Sequence, residues 1–121
     1  MKRVLVIDDN IDTLTVVQLI LSAEGYEVKS FSNWREGFNF INLFDPELII
    51  MEVHLGTADG RNLAKQLKYQ ADTKHIPIIL FSTTHSVIDN LVECQADEFI
   101  AKPFKFNLIL SKVRSLIGSA V

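Results

Sequence analysis

The chain is poor in the residues that staple, anchor or interrupt a fold. Its 121 residues include one cysteine, three prolines and five glycines. A lone cysteine, Cys94, rules out an internal disulfide framework and fits a reducing compartment. A small buried apolar side chain explains Cys94 better than a reactive thiol. No apolar run approaches the roughly 18 residues that cross a bilayer. The opening MKRVLVIDDN turns acidic after a few apolar positions, unlike a secretory signal, so a cytoplasmic protein without membrane partners is expected. Basic charge is scarce too. Twelve Lys and Arg against 15 Asp and Glu give a formal net charge of −3, which supplies no field for holding nucleic acid. There is no internal repeat, low-complexity tract or Pro/Gly/Ser linker. One domain over residues 1–121 is expected, of a length that buries a sizeable core, and the chain could be a piece of something longer.

What is present alternates. Short apolar runs occur at Val4 to Ile7, Val28 to Phe31, Leu48 to Met51, Ile76 to Phe81 and Glu98 to Ala101. Four of them are nearly continuous, as strands covered on both faces should be, while VKSF alternates as suits a strand nearer a sheet edge. Helical patterns lie between. Asn10 caps a stripe of Ile11, Leu14, Val17 and Leu21 that stops at Gly25. Asn33 and Glu36 form a loose capping pair before Trp34, Phe38 and Ile41. A third helix starts near Gly60 with Leu63 and Leu67. Ser86 opens a short fourth with Val87, Ile88, Leu91 and Val92. Ile109, Val113, Leu116 and Ile117 mark the last. Five β-α units in series predict a parallel sheet with helices on both faces, because each crossover is right-handed and must cover the sheet.

Ligands of such sheets bind beyond the carboxyl ends of the strands. Those ends carry Asp8 and Asp9 after the first strand, Glu52 after the third, Ser82 and Thr83 after the fourth, and Lys102 followed by Pro103 after the fifth. Any one of these is ordinary for a loop. Three carboxylates, a hydroxyl and an ammonium at equivalent positions are not. Crowded carboxylates must be neutralised, paired or bound to a cation. Lys102 is expected to pair with Glu52, leaving Asp8 and Asp9 as hard oxygens suited to Mg²⁺. Such a set has the makings of a phosphoryl-transfer site, with the carboxylate as nucleophile.

The stretches VLVIDDN, PELIIMEVHLGTADG, IPIILFST and DEFIAKPF, in that order, resemble the response-regulator receiver domains of two-component phosphorelays. The resemblance covers nearly the whole chain. It implies a doubly wound, five-stranded flavodoxin-like sheet of strand order 2-1-3-4-5, in a signalling module and not an enzyme. It also implies that Asp8 and Asp9 are the acidic Mg²⁺ pair, with the His54 backbone carbonyl as third ligand and Glu52 a further candidate. Ser82 would be the switch hydroxyl with Thr83 beside it, Lys102 the phosphoryl-binding lysine and Phe99 the switch aromatic, with a cis bond before Pro103. A sensor histidine kinase, or an effector meeting the face of the fourth helix, fifth strand and last helix, would be the partner. The domain itself would be a monomer or weak homodimer.

Glu52 stands where that family carries its phosphoaccepting aspartate. One methylene lengthens the arm by about 1.5 Å, and a misplacement near 1 Å costs about a hundredfold where chemistry depends on alignment. Three readings follow. Glu52 accepts phosphate despite its length; it partly mimics a phosphorylated aspartate, with about one negative charge against nearly two; or it only pairs with Lys102. The last two describe a pseudo-receiver, the reading adopted. Further departures are Gln95 in place of a glycine before the fifth strand, Gly56 and Thr57 in a loop that they loosen, a Ser82–Ala96 connection about two residues short, and Lys105 where an acidic cap is usual before the last helix.

Other signals are weaker. His54, His75 and His85 lack metal-ligand spacing and read as loop histidines. Trp34 reads as core rim, and Asp12 as a first-turn helix acid. A phosphohydrolase with an aspartate nucleophile would need an acid where Asn10 stands. A flavin binder would need phosphate-binding donors where DDNID is acidic.

Overall fold

The computed structural model describes residues 2–83 and 94–120. In chain order the elements are β1 (Arg3–Ile7), α1 (Ile11–Ala23), β2 (Glu27–Phe31), α2 (Trp34–Phe44), β3 (Leu48–Glu52), β4 (His54–Leu55), β5 (Ala58–Asp59), α3 (Gly60–Tyr69), β6 (Ile78–Ser82), β7 (Glu98–Ala101) and α4 (Phe106–Ile117). The helix expected from Ser86, and His85 before it, lie outside the described residues.

Five strands form one parallel sheet in the order β2-β1-β3-β6-β7. This is the predicted order 2-1-3-4-5, counted without the small hairpin. The alternating β2 lies at one edge. The three central strands β1, β3 and β6 are paired on both sides and almost wholly buried, which is why their sequences are continuous apolar runs rather than alternations.

The two-residue period of a strand sorts these runs into two cores. Leu5, Ile7, Ile49, Met51, Ile78, Leu80 and Phe99 face α2 and α3, packing with Ile41, Phe44, Leu63 and Leu67. Val4, Val6, Leu48, Ile50, Ile79, Phe81 and Ile100 face α1 and α4, packing with Leu14, Val17, Leu21, Ile109 and Val113. Each such side chain, fully buried, contributes about 1.5–3 kcal/mol. Trp34 sits at the rim of the first core, edge-on to Phe38, with the Arg35 guanidinium 4.6 Å over its ring.

Helix starts follow the sequence closely. The Asn10 side chain accepts from the Thr13 N–H, and Asn33 accepts from both Arg35 and Glu36. Asp59 caps α3 through the Arg61 N–H. Lys105, at the start of α4, makes no side-chain cap bond. Gln95 has φ of 62°, a left-handed conformation in which a glycine meets no Cβ penalty. The loop expected to be loosened by Gly56 and Thr57 is instead a tight hairpin, with His54 opposite Asp59 and Leu55 opposite Ala58. Gly56 supplies the positive φ, 64°, that this short turn requires.

Candidate functional site at the carboxyl edge of the sheet

Register and alternation assemble the site. Ile7 pairs with Met51, so Asp8, one step on, is level with Glu52. Glu52 pairs with Phe81 and Phe81 with Ile100. Asp8 continues the series Val4, Val6; Glu52 continues Leu48, Ile50; Lys102 follows Ile100 by two. All three therefore project from the α1/α4 face just where its apolar core ends.

The Lys102 ammonium lies between the two acids, donating to Asp8 Oδ2 at 2.6 Å and Glu52 Oε1 at 2.9 Å. The Phe81 ring lies beneath it, 4.8 Å from Nζ to centroid. Lysine was expected to pair with Glu52; it pairs with Asp8 as well, and more closely, because the sheet register sets the two acids side by side. The remaining oxygens are also bonded. Asp8 Oδ1 accepts from the Asn10 N–H at 2.9 Å, and Glu52 Oε2 from the His54 N–H at 3.1 Å. Asp8 is fully buried and Glu52 is 7% exposed.

The two halves of this pair respond oppositely to burial. Burial pushes the Asp8 carboxyl above its ordinary value, against the opposing hydrogen bonds from Lys102 and Asn10. Burial alone would lower Lys102, but its hydrogen bonds to Asp8 and Glu52 outweigh it and hold the ammonium above the ordinary lysine value.

The other expected residues are more dispersed. Asp9 is exposed and, among the described residues, accepts a long bond, 3.3 Å, from the Gly56 N–H. Ser82 is buried at the end of β6, Thr83 is exposed beside it, and Phe99 is buried in the α2/α3 core. The Lys102–Pro103 bond is cis. Sequence reasoning missed Phe81, which the apolar run hides among its neighbours, and Gly60. A Cβ on Gly60 would come within 2.3 Å of the Glu52 carbonyl oxygen, and the Gly60 N–H donates to Val53 O at 2.6 Å. The start of α3 is thus clamped against the Glu52 backbone. A glycine opening a helix after an Asp cap was the available signal.

Residues 4–114 match the sequence profile of the response regulator receiver domain. The chain belongs to the response regulator receiver family. Among related proteins, this receiver is 30% identical over 118 residues to the probable transcriptional regulator ycf27 of Cyanophora paradoxa, covering 96% of the chain and 48% of that protein. The chain spans about half the length of the curated relatives it matches. Among solved structures, the receiver domain of a signal transduction histidine kinase from Syntrophus aciditrophicus is 33% identical with a TM-score of 0.86, covering 97% of this chain and 90% of that one. The receiver domain of a Pseudomonas aeruginosa sensor histidine kinase, with a magnesium ion coordinated in its active-site cleft, shares the fold at 22% identity, a TM-score of 0.86 and 98% coverage of both chains. Domains of this family are signalling modules, not enzymes. Among the described residues, no helix is long and apolar enough to cross a membrane.

Proposed function

We propose that this receiver is a pseudo-receiver: a cytoplasmic signalling domain in which Glu52 occupies the phosphoacceptor position without accepting phosphate. It would act through contacts with a histidine kinase or an effector. One observation carries the reading. The Glu52 carboxylate is buried, with one oxygen held by the Lys102 ammonium and the other by the His54 N–H. A carboxylate has about four lone-pair sites, so these two bonds leave Glu52 basic. What they do is fix its head group against Lys102, with the longer arm filling the space before the ammonium that a phosphoryl group on a shorter aspartate would take. The same bonds support partial mimicry, since a carboxylate already satisfies the lysine that a phosphoryl group would otherwise recruit.

Magnesium has a limited place here. Asp8 and Glu52 share one ammonium and the exposed Asp9 follows directly in the chain, so three carboxylates exceed the lysine by two negative charges, which suits one divalent ion of hard-oxygen preference. Yet no three His, Cys, Asp or Glu groups are grouped to hold a metal among the described residues, and Lys102 already engages one oxygen each of Asp8 and Glu52. Mg²⁺ would be held weakly, by Asp9 and the His54 carbonyl with Asp8, and would supply charge neutralisation.

The test compares wild type with Glu52→Asp, incubated with Mg²⁺ and a small-molecule phosphodonor and weighed intact. Phosphorylation of Glu52→Asp alone is the expected result. A phosphorylated wild type would establish the second reading, a working Mg²⁺-dependent phosphoacceptor with a longer arm.

A further inference from the structure

Lys102 reaches its two acids across a strand. In the sheet order β1-β3-β6-β7, Asp8 follows β1, Glu52 ends β3 and Lys102 follows β7, so β6 lies between the lysine and both carboxylates. Neighbouring strands stand about 4.8 Å apart, which puts the β7 backbone about 10 Å from β3. An extended lysine carries its ammonium only about 6 Å from its Cα. Its stem must therefore lie flat over β6 to meet the Glu52 arm. The residue of β6 at that level is Phe81, paired with Glu52 on one side and Ile100 on the other and turned to the same face.

Phe81 is 1% exposed, and the Lys102 ammonium stands 4.8 Å over the centre of its ring. An ammonium carries three N–H donors. Two go to Asp8 Oδ2 and Glu52 Oε1, at 2.6 and 2.9 Å. The negative face of the ring attracts the cation from a further side, where an aliphatic side chain would offer nothing to replace water. Every other buried strand residue described in this core, from Val4 to Ile100, is aliphatic. The aromatic stands where the ammonium passes. Phe104, two residues beyond Lys102, meets the Phe81 ring edge-on, at 6.0 Å and 87°. The loop that carries the lysine thus also braces the ring beneath it.

We propose that Phe81 is a positioning residue, whose ring is the platform that seats the Lys102 ammonium between Asp8 and Glu52, with Phe104 bracing the ring. A lysine so held is committed to the two acids of its own chain, and loss of the ring frees it toward solvent. The seat is made by the ring and not by the length of the acid, so it is independent of whether Glu52 accepts phosphate.

Nuclear magnetic resonance of the lysine ammonium in the full chain reads the seat directly. In wild type the Lys102 ammonium should exchange its hydrogens with water far more slowly than that of the exposed Lys29, and its ε-methylene protons should lie upfield, within the ring current of Phe81. Phe81→Leu should return those protons to the ordinary lysine position and speed the exchange about tenfold, the weight of one desolvated cation–π contact. Because Phe81→Leu also leaves a cavity, a second series keeps the shape. Phenylalanine at position 81 bearing one and then three ring fluorines loses negative charge from its face at nearly constant volume. Exchange at Lys102 should rise stepwise with fluorine number, while the backbone amides of Ile79 and Ile100 stay as in wild type. Exchange that is unchanged through the fluorinated series would reduce Phe81 to core packing and overturn the proposal. A wild-type Lys102 ammonium that exchanges as fast as that of Lys29 would overturn it as well.

Discussion

Two regions on the same face of the sheet invert the usual distribution of residues, in opposite senses. At the carboxyl edge of β1, β3 and β7, charge is buried: Asp8 is sealed from solvent and Glu52 nearly so. On the outer surfaces of α1 and α4, a short distance along the same layer, large apolar side chains are exposed. Buried charge and exposed apolar area are the informative exceptions in a folded protein. The difference lies in what completes each region. The buried acids are satisfied within the chain, by Lys102 and by the N–H groups of Asn10 and His54. The surface of α1 and α4 is apolar and open, with Leu19 66% and Phe106 62% exposed. A region closed on itself is held by its own hydrogen bonds; an open one is not.

The sharpest way to break that contrast is to open the closed region. Lys102→Met leaves Asp8 and Glu52 buried without their shared counter-charge, and removing one partner of a buried pair costs about 3–5 kcal/mol. Urea unfolding at neutral pH should show a loss of that size, part of it recovered when Mg²⁺ is added. In wild type the same interaction carries a pH signature. The folded lysine titrates above its ordinary value of 10.5, so its contribution is complete below pH 10.5 and lost as pH rises through the raised folded value. Lys102→Met should lack that alkaline loss. A Lys102→Met protein as stable as wild type would mean that the acids are neutralised by other means.

A smaller break acts through the backbone. A Cβ on Gly60 would lie 2.3 Å from the Glu52 carbonyl oxygen and 3.0 Å from Val53 Cα. Neither atom is the end of a flexible side chain, so strand and helix must separate. Gly60→Ala should destabilise by about 1–3 kcal/mol and shift the amide resonance of His54, whose N–H reports on the Glu52 carboxylate. An unchanged His54 amide would show that the clamp at α3 does not position the glutamate.

Much of this was legible from the chain alone. The β-α series and the identity of the strand-end residues require only apolar periodicity and turn residues, and both are local. Why β1, β3 and β6 read as continuous runs is explained by their two-sided burial, and sequence carries that directly. The second bond of Lys102, to Asp8, was less accessible because it depends on register: Asp8 and Glu52 become neighbours only once Ile7 pairs with Met51. The hairpin at His54–Leu55 and Ala58–Asp59 was missed because two residues per strand carry no period to detect. Gly56 read as loosening for the same reason, although a positive φ at that turn makes it a hinge pin rather than a weakness. Phe81 under Lys102 could not be told from its apolar neighbours until alternation had assigned each strand a face.

The smallest effect tests whether backbone strain matters to either region. Gln95 lies exposed at φ 62° in the turn before β7, the strand whose end delivers Lys102. A side chain there pays a steric penalty of about 1–2 kcal/mol, from which the greater freedom of glycine in the unfolded chain subtracts roughly 0.5–1 kcal/mol. Gln95→Gly should therefore stabilise the fold by only about 0.5 kcal/mol, measurable as a shift in the urea midpoint at unchanged slope. It leaves the Lys102 bonds untouched, so the alkaline titration should stay as in wild type. A change in the titration would mean that the turn sets the height of Lys102 above the acids. The closed region would then depend on strain held outside it as well as on its own hydrogen bonds.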